Sequence, residues 1–138
     1  MTSKEIVIKL IRLNSAINEQ LMLALKPFGI SIQQFNVLRI LRGQKGVAAN
    51  LFTVQEKMVN KMSNTTRIID KLIDKSFVER IICKENRRKI ELFITDEGLS
   101  FLKQVDPVIE QTEAKMTKNL SANEKQEIMT LLNKLNKN

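Results

Sequence analysis

The sequence predicts a mostly α-helical chain with one small β-hairpin, and three observations carry that expectation. Apolar residues recur at three- and four-residue spacings through most of the 138 residues, the period that gathers side chains on one face of an α-helix. Helix-start signals stand ahead of these runs: Thr2 with Glu5, Ser31 with Gln34, Thr53 with Glu56 and Ser121 with Glu124 each set a hydroxyl three residues before a carboxylate or amide. The period breaks once. Phe77 to Cys83 and Ile90 to Ile94 are short β-rich runs separated by the charged knot Lys84-Glu85-Asn86-Arg87-Arg88-Lys89, the pattern of a hairpin.

The first helix is expected from the Thr2 cap to the stop at Pro27 and Gly29. Ile6, Leu10, Leu13, Ile17, Leu21 and Leu25 run up one face, and Val7, Ile11 and Leu23 broaden it. That apolar surface suits a helix packed against its own domain and a second chain, with a monomeric core helix as the alternative. Ser31 opens the next helix, where Ile30 can staple onto Phe35 and the inner face is Phe35, Leu38 and Leu41. Gly43 and Gly46 mark a loop with a mobile tip. Thr53 is expected to cap a short helix with Val54 and Met58 inward, and a turn near Asn60 to Ser63 leads into a helix ending near Lys75. There Met62, Thr66, Ile69, Leu72 and Ile73 form the inner face, while Asn60, Ser63, Asn64, Arg67 and Lys71 gather outside, interrupted by Asp70 and Asp74.

Beyond the hairpin, Thr95 should cap a long helix containing Leu99, Phe101, Leu102, Val105, Val108, Ile109 and Met116, kinked or broken at Pro107. Asp96 and Glu97 fall in its first turn, where carboxylates favour the positive end of the helix dipole, and are read that way rather than as a catalytic dyad. Ser121 opens a last helix with Ile128, Leu131, Leu132 and Leu135 inward, and residues 134–138 are expected to fray. No internal repeat interrupts what reads as one domain.

Composition narrows the function. The formal net charge is +8 and the sequence pI about 9.8, which favours a polyanionic partner. Between Asn60 and Ile90 nine Lys or Arg face four Asp or Glu; taking in Glu91 lowers the local excess by one. There is no His, no P-loop and no dinucleotide fingerprint, so no nucleophile, base and oxyanion site assemble, and neither cofactor nor metal is expected. Charges inside the apolar N-terminal run argue against a signal peptide, and no stretch reads as a membrane span. The single Cys83 allows no internal disulfide, which fits a reducing cytoplasm. It reads as a small, half-buried strand residue rather than a reactive thiol beside Lys84.

Short helix, turn and polar-faced helix make a helix-turn-helix, and the hairpin that follows adds a wing. Arg, Asn, Ser and Lys are the donors that pair with base edges and phosphates in a major groove, and an arginine-tipped wing fits a narrow minor groove. The fold class is thus a winged helix-turn-helix flanked by dimerisation helices. Two other classes compete. An RNA-binding module lacks the aromatic residues that stack splayed bases, apart from Phe93. A basic, nonspecific binder or helical interaction protein would show no sequence preference.

The order of elements resembles the MarR family of bacterial transcriptional regulators over essentially the whole chain. The motifs run from SNTTRIIDKLIDKSFVER to ENRRKIELFITDEG. In that family a threonine or serine precedes an arginine in the recognition helix, a leucine follows five positions later, and a GLVER-like exit, a DRR wing and an LTxxG entry complete the pattern. Here these are Thr66-Arg67, Leu72, Ser76 to Arg80, Asn86-Arg87-Arg88 and Ile94 to Gly98. The resemblance implies one MarR-like domain, with 1–28 and 99–138 as dimerisation helices and 31–98 as the DNA-binding lobe. It implies that Ser63, Asn64, Thr65, Arg67 and Lys71 face the major groove and that Arg87 and Arg88 serve the wing. It also implies a homodimeric repressor on a pseudopalindromic double-stranded operator, released by a small aromatic or phenolic effector. From the family's pocket location, Asn14, Asn18, Phe35, Arg39 and Phe101 become candidate effector contacts.

Two departures are visible. Asn86 replaces the usual wing aspartate, which removes a charge-assisted hydrogen bond and suggests a looser wing. Ser76 replaces the usual glycine after the recognition helix, costing about 1 kcal/mol if its backbone is left-handed, unless the chain leaves the helix by another route. The peroxide-sensing members use a cysteine near the first helix with tyrosine partners, whereas this chain has no Tyr and carries Cys83 at the wing.

Overall fold

The computed structural model describes residues 2–59, 64–86 and 89–137. Helix α1 spans Ser3–Leu25, and its cap Thr2 accepts a hydrogen bond from the Glu5 amide. A 3-10 turn, Lys26–Phe28, follows with Pro27 in its first turn, and Gly29 closes it at φ 68°, in the left-handed region that favours glycine. Helix α2, Ile32–Gly43, begins with the expected reciprocal box between Ser31 and Gln34. Helices α3, Leu51–Lys57, and α4, Thr65–Asp74, come next, then strands β1, Val78–Ile82, and β2, Ile90–Ile94. The strands pair antiparallel with Val78 opposite Ile94 and Ile82 opposite Ile90. Helices α5, Asp96–Met116, and α6, Ala122–Leu135, complete the chain.

One core joins the middle of the chain to α5. Leu25 of α1, Val37, Leu38 and Leu41 of α2, Val54 of α3, Ile69 and Leu72 of α4, Leu92 of β2 and Leu102, Val105 and Ile109 of α5 are all buried in a single cluster. Ile30 and Phe35 belong to it as well. Gly98 is the close-approach point between α5 and the hairpin: a Cβ there would lie 2.5 Å from the Phe77 carbonyl oxygen and 2.8 Å from Ile94 Cγ1. Thr95 fixes the same junction from both sides, accepting from the Gly98 amide at 3.0 Å and donating its hydroxyl to the Ser76 carbonyl at 2.7 Å.

Several expectations are corrected. The cap of α3 is Asn50, three residues before Thr53; its Oδ1 accepts from both the amide and the hydroxyl of Thr53, so Thr53 becomes the third helical residue while Val54 and Met58 still turn inward. Of the kink or break expected at Pro107, the break does not occur, and helix α5 runs through it. Pro107 is exposed, which lets water satisfy the carbonyl its missing N–H abandons. In α4 the faces of the two threonines are exchanged: Thr65 is buried and Thr66 exposed. At about 100° per residue, Thr65 lies within about 40° of both Ile69 and Leu72, whereas Thr66 lies about 60° from Ile69 and about 120° from Leu72.

Helix α6 departs most. Ile128, Leu131, Leu132 and Leu135, expected inward, are 43%, 59%, 41% and 54% exposed. Most of α1 behaves alike, with only Leu25 buried in that helix. The loop 44–50 gains something unforeseen. Ala49 makes both hydrogen bonds of an isolated antiparallel bridge with Leu92, adding a third short edge to the hairpin sheet.

Candidate nucleic-acid interface

Helix α4 is strongly two-sided. Ile69 and Leu72 anchor it in the core, and Thr66, Arg67, Asp70 and Lys71 stand in solvent. Its start is set by Asn64, whose Oδ1 accepts from the Arg67 amide at 3.1 Å. Asn64, expected to present its side chain to a groove, is therefore exposed but has its carbonyl oxygen committed to the helix. Thr65 faces the core instead of the groove, for the reason of register given above. Ser63, Arg87 and Arg88 lie outside the described residues, as do Asn60 and Met62.

The cations of this region divide into two groups. Arg80 pairs with Asp70 at 3.1 Å, tying the outgoing strand to α4, and Lys75 Nζ donates to the Gly29 carbonyl, tying the end of α4 to the entry of α2. These two hold structure. Arg67 and Lys71 make no side-chain hydrogen bond or ion pair among the described residues. They lie four residues apart on one exposed strip of α4, free to meet an anion or a base edge. Beside that strip is a cleft of about 250 Å³ between α2 and α4, lined by Ser31, Gln33, Gln34, Asn64, Arg67, Ile68 and Lys71. In the sequence Ser31 and Gln34 signal only a cap, and nothing local marks Gln33.

Helix α4 exits as the family pattern requires, in spite of its serine. Ser76 adopts φ 66°; its amide donates to the Ile73 carbonyl and the Phe77 amide to the Leu72 carbonyl, the paired bonds of a Schellman turn. The hairpin then continues, with the Cys83 amide donating to the Lys89 carbonyl and the Lys89 amide to the Asn86 carbonyl. Cys83 is a free, half-buried thiol at the end of β1.

The five residues named as effector contacts fall on three helices, Asn14 and Asn18 on α1, Phe35 and Arg39 on α2 and Phe101 on α5. The Arg39 guanidinium lies 5.3 Å from the centre of the Phe35 ring. Phe101 stacks on Phe77 at 4.5 Å and meets Phe28 edge-on at 6.2 Å. Asn14 and Asn18 are exposed on α1. Between lobe and long helix, Arg42 of α2 grips Asp106 of α5 at 2.6 Å with a second, longer contact at 3.4 Å. Among the described residues no helix is long and apolar enough to cross a membrane, and no group of potential ligand residues could hold a metal ion.

Comparison with known proteins gives a consistent result. A model described as the MarR family matches residues 30–90. The multiple antibiotic resistance protein MarR of Escherichia coli is 31% identical over 114 residues, spanning 80% of this chain and 76% of the relative. An HTH-type transcriptional repressor of Mycobacterium tuberculosis is 24% identical over 126 residues, 91% of this chain and 89% of that protein. The crystal structure of a cysteine-to-serine mutant of the E. coli protein complexed with operator DNA superposes with a TM-score of 0.80 at 25% identity, covering 98% of this chain and 99% of that one. With the helix-turn-helix, the hairpin and the flanking helices all in their places, this chain belongs to the MarR family of transcriptional regulators.

Proposed function

We propose that the protein is a sequence-specific regulator of transcription that binds double-stranded DNA as a homodimer and acts as a repressor on a pseudopalindromic operator. The observation that carries this reading is the exposed strip of α4, where Arg67 and Lys71 stand uncommitted while their neighbours Arg80 and Lys75 are tied into the fold. Arginine is suited to bidentate recognition of guanine, and lysine to phosphate. Arg87 and Arg88, which fall between β1 and β2 in the sequence, supply the wing's contact with a minor groove. The names of the mycobacterial repressor and of the operator complex agree with this reading.

Dimerisation is assigned to α1 and α6 with the adjoining part of α5. Exposed Ile11, Leu23, Leu131 and Leu135 leave an apolar surface that one protomer does not cover, and a two-fold partner would cover it with the same helices. Such a dimer sets two copies of α4 about one DNA turn apart. DNA binding places the protein with the chromosome, in the cytoplasm. Release by a small aromatic or phenolic effector extends the same reading. The effector would lie between the lobe and the long helices, where Asn14, Asn18, Phe35, Arg39 and Phe101 are the candidate contacts.

The test is affinity for a selected operator duplex. Arg67→Ala should weaken binding by about tenfold or more and blur the preference at one base pair of each half-site, as expected for loss of a bidentate contact worth about 1–3 kcal/mol. Arg88→Ala should weaken binding most on sites with A·T-rich flanks. Equal affinity of wild type and both variants would remove the winged-helix mechanism.

A further inference from the structure

The cleft between α2 and α4 contains more than the recognition helix, and its polar groups can be followed one by one. Gln34 is buried, with its Oε1 taken by the Ser31 amide, and Ser31 Oγ is taken by the Gln34 amide. Asn64 Oδ1 is taken by the Arg67 amide. Ile68 is half-buried and gives the cleft an apolar side. With those oxygens taken, three of the lining polar side chains make no hydrogen bond or ion pair of any kind among the described residues: Gln33 on the α2 wall, Arg67 and Lys71 on the α4 wall. No carboxylate lines the cleft. Two cations and an amide donor suit an anion with several acceptor oxygens, and the arrangement is open at the surface.

Resting on the operator-binding reading above, we propose that Gln33 and Lys71 clamp one backbone phosphate of the DNA strand flanking the major groove, so that α2 takes part in the interface. With α4 in the groove and Arg67 directed at the bases, α2 stands alongside α4 on the strip that carries Arg67 and Lys71. The strand bordering the groove then passes over the mouth of the cleft. Lys71 supplies charge and Gln33 an N–H donor from the opposite wall, and the phosphate fixes how far α4 enters the groove. Such contacts position a protein on DNA without reading sequence.

The test changes the charge at position 33 and measures binding to a selected operator and to a scrambled duplex over a range of salt. Gln33→Glu should weaken both complexes by at least about tenfold, because a carboxylate then faces the phosphate. Loss of fold is not the expected cause, since an acidic residue in the first turn of α2 suits the helix dipole. Gln33→Lys should tighten both, steepening the dependence of log K on log salt by about 0.9, and Lys71→Ala should flatten it by about 0.9. A single neutral methylphosphonate at the clamped position should weaken wild type and leave Lys71→Ala nearly indifferent. If wild type prefers its operator but both charge variants at position 33 bind as wild type does, the clamp is wrong and the operator reading stands. If wild type shows no preference among duplexes, the operator reading fails and takes the clamp with it.

Discussion

The winged-helix lobe and the terminal helices are written in the same apolar periodicity, yet one is closed and the other open. In the lobe, Val37, Leu38, Val54, Leu72 and Leu92 are at most 2% exposed. In α1 and α6, Ile11, Leu23, Leu131 and Leu135 are each more than half exposed. A period of three and four identifies the face a helix will bury; it does not say whether the covering surface belongs to the same chain. The lobe closes its core within one chain, borrowing Leu25 of α1 and Leu102, Val105 and Ile109 of α5, whereas the open faces of α1 and α6 acquire their cover on association.

Substitutions in the two regions should differ in kind as well as size. Gly98→Ala is expected to have the largest effect, about 4 kcal/mol, because the added methyl meets the Phe77 carbonyl and Ile94 at the junction of α5 and the hairpin. Chemical denaturation should show that loss at every protein concentration. Leu102→Ala, at a fully buried site, should cost about 3 kcal/mol and be equally independent of concentration. Leu131→Ala sits on the open face and should cost about 1–2 kcal/mol, seen in the dimer dissociation constant by analytical ultracentrifugation and absent from the unfolding of the dilute monomer. Equal destabilisation of dilute monomer by Leu131→Ala and Leu102→Ala would contradict the division between a closed lobe and open ends.

Smaller effects sharpen the same contrast. Ser76 holds a left-handed backbone with a side chain that has no need to be there, so Ser76→Gly should stabilise the lobe by about 1 kcal/mol in denaturation and leave dimerisation unchanged. At the open end, the Ser121 amide, and then its hydroxyl, hold the Glu124 carboxyl below its ordinary value. A depressed pKa favours the folded cap above the ordinary carboxylate range, and that contribution is lost as pH falls below that range through the depressed pKa. Acidification below the ordinary carboxylate range should thus loosen the first turn of α6, read by amide hydrogen exchange, before the lobe responds.

The elements themselves were legible because their signals are local. The Ser31 and Ser121 boxes, the Thr95 cap and the hairpin each lie within a few residues of sequence and appear where expected. Details set by competition or distance were not. Thr53 looked like a cap, but Asn50 is the better acceptor at the position the loop delivers. Thr65 and Thr66 differ by one residue, and only the burial of Ile69 and Leu72 decides which faces inward. The Ala49 bridge to Leu92 and the Lys75 bond to Gly29 join residues more than forty positions apart, and no local pattern announces either. At the interface, Arg67 and Lys71 were read correctly as exposed polar residues of α4. The role given to Gln33 rests on the α2 wall, which only the tertiary fold brings beside them.

The most direct measurement is selection of duplexes from a random library by the purified protein, followed by a salt titration on the best sequence. A dimeric winged helix with one α4 in each half-site should enrich an inverted repeat whose halves are centred about one helical turn apart, with affinity falling steeply as salt rises. Salt-sensitive binding without any enriched motif would contradict sequence-specific operator recognition and leave only a basic surface that holds DNA indiscriminately.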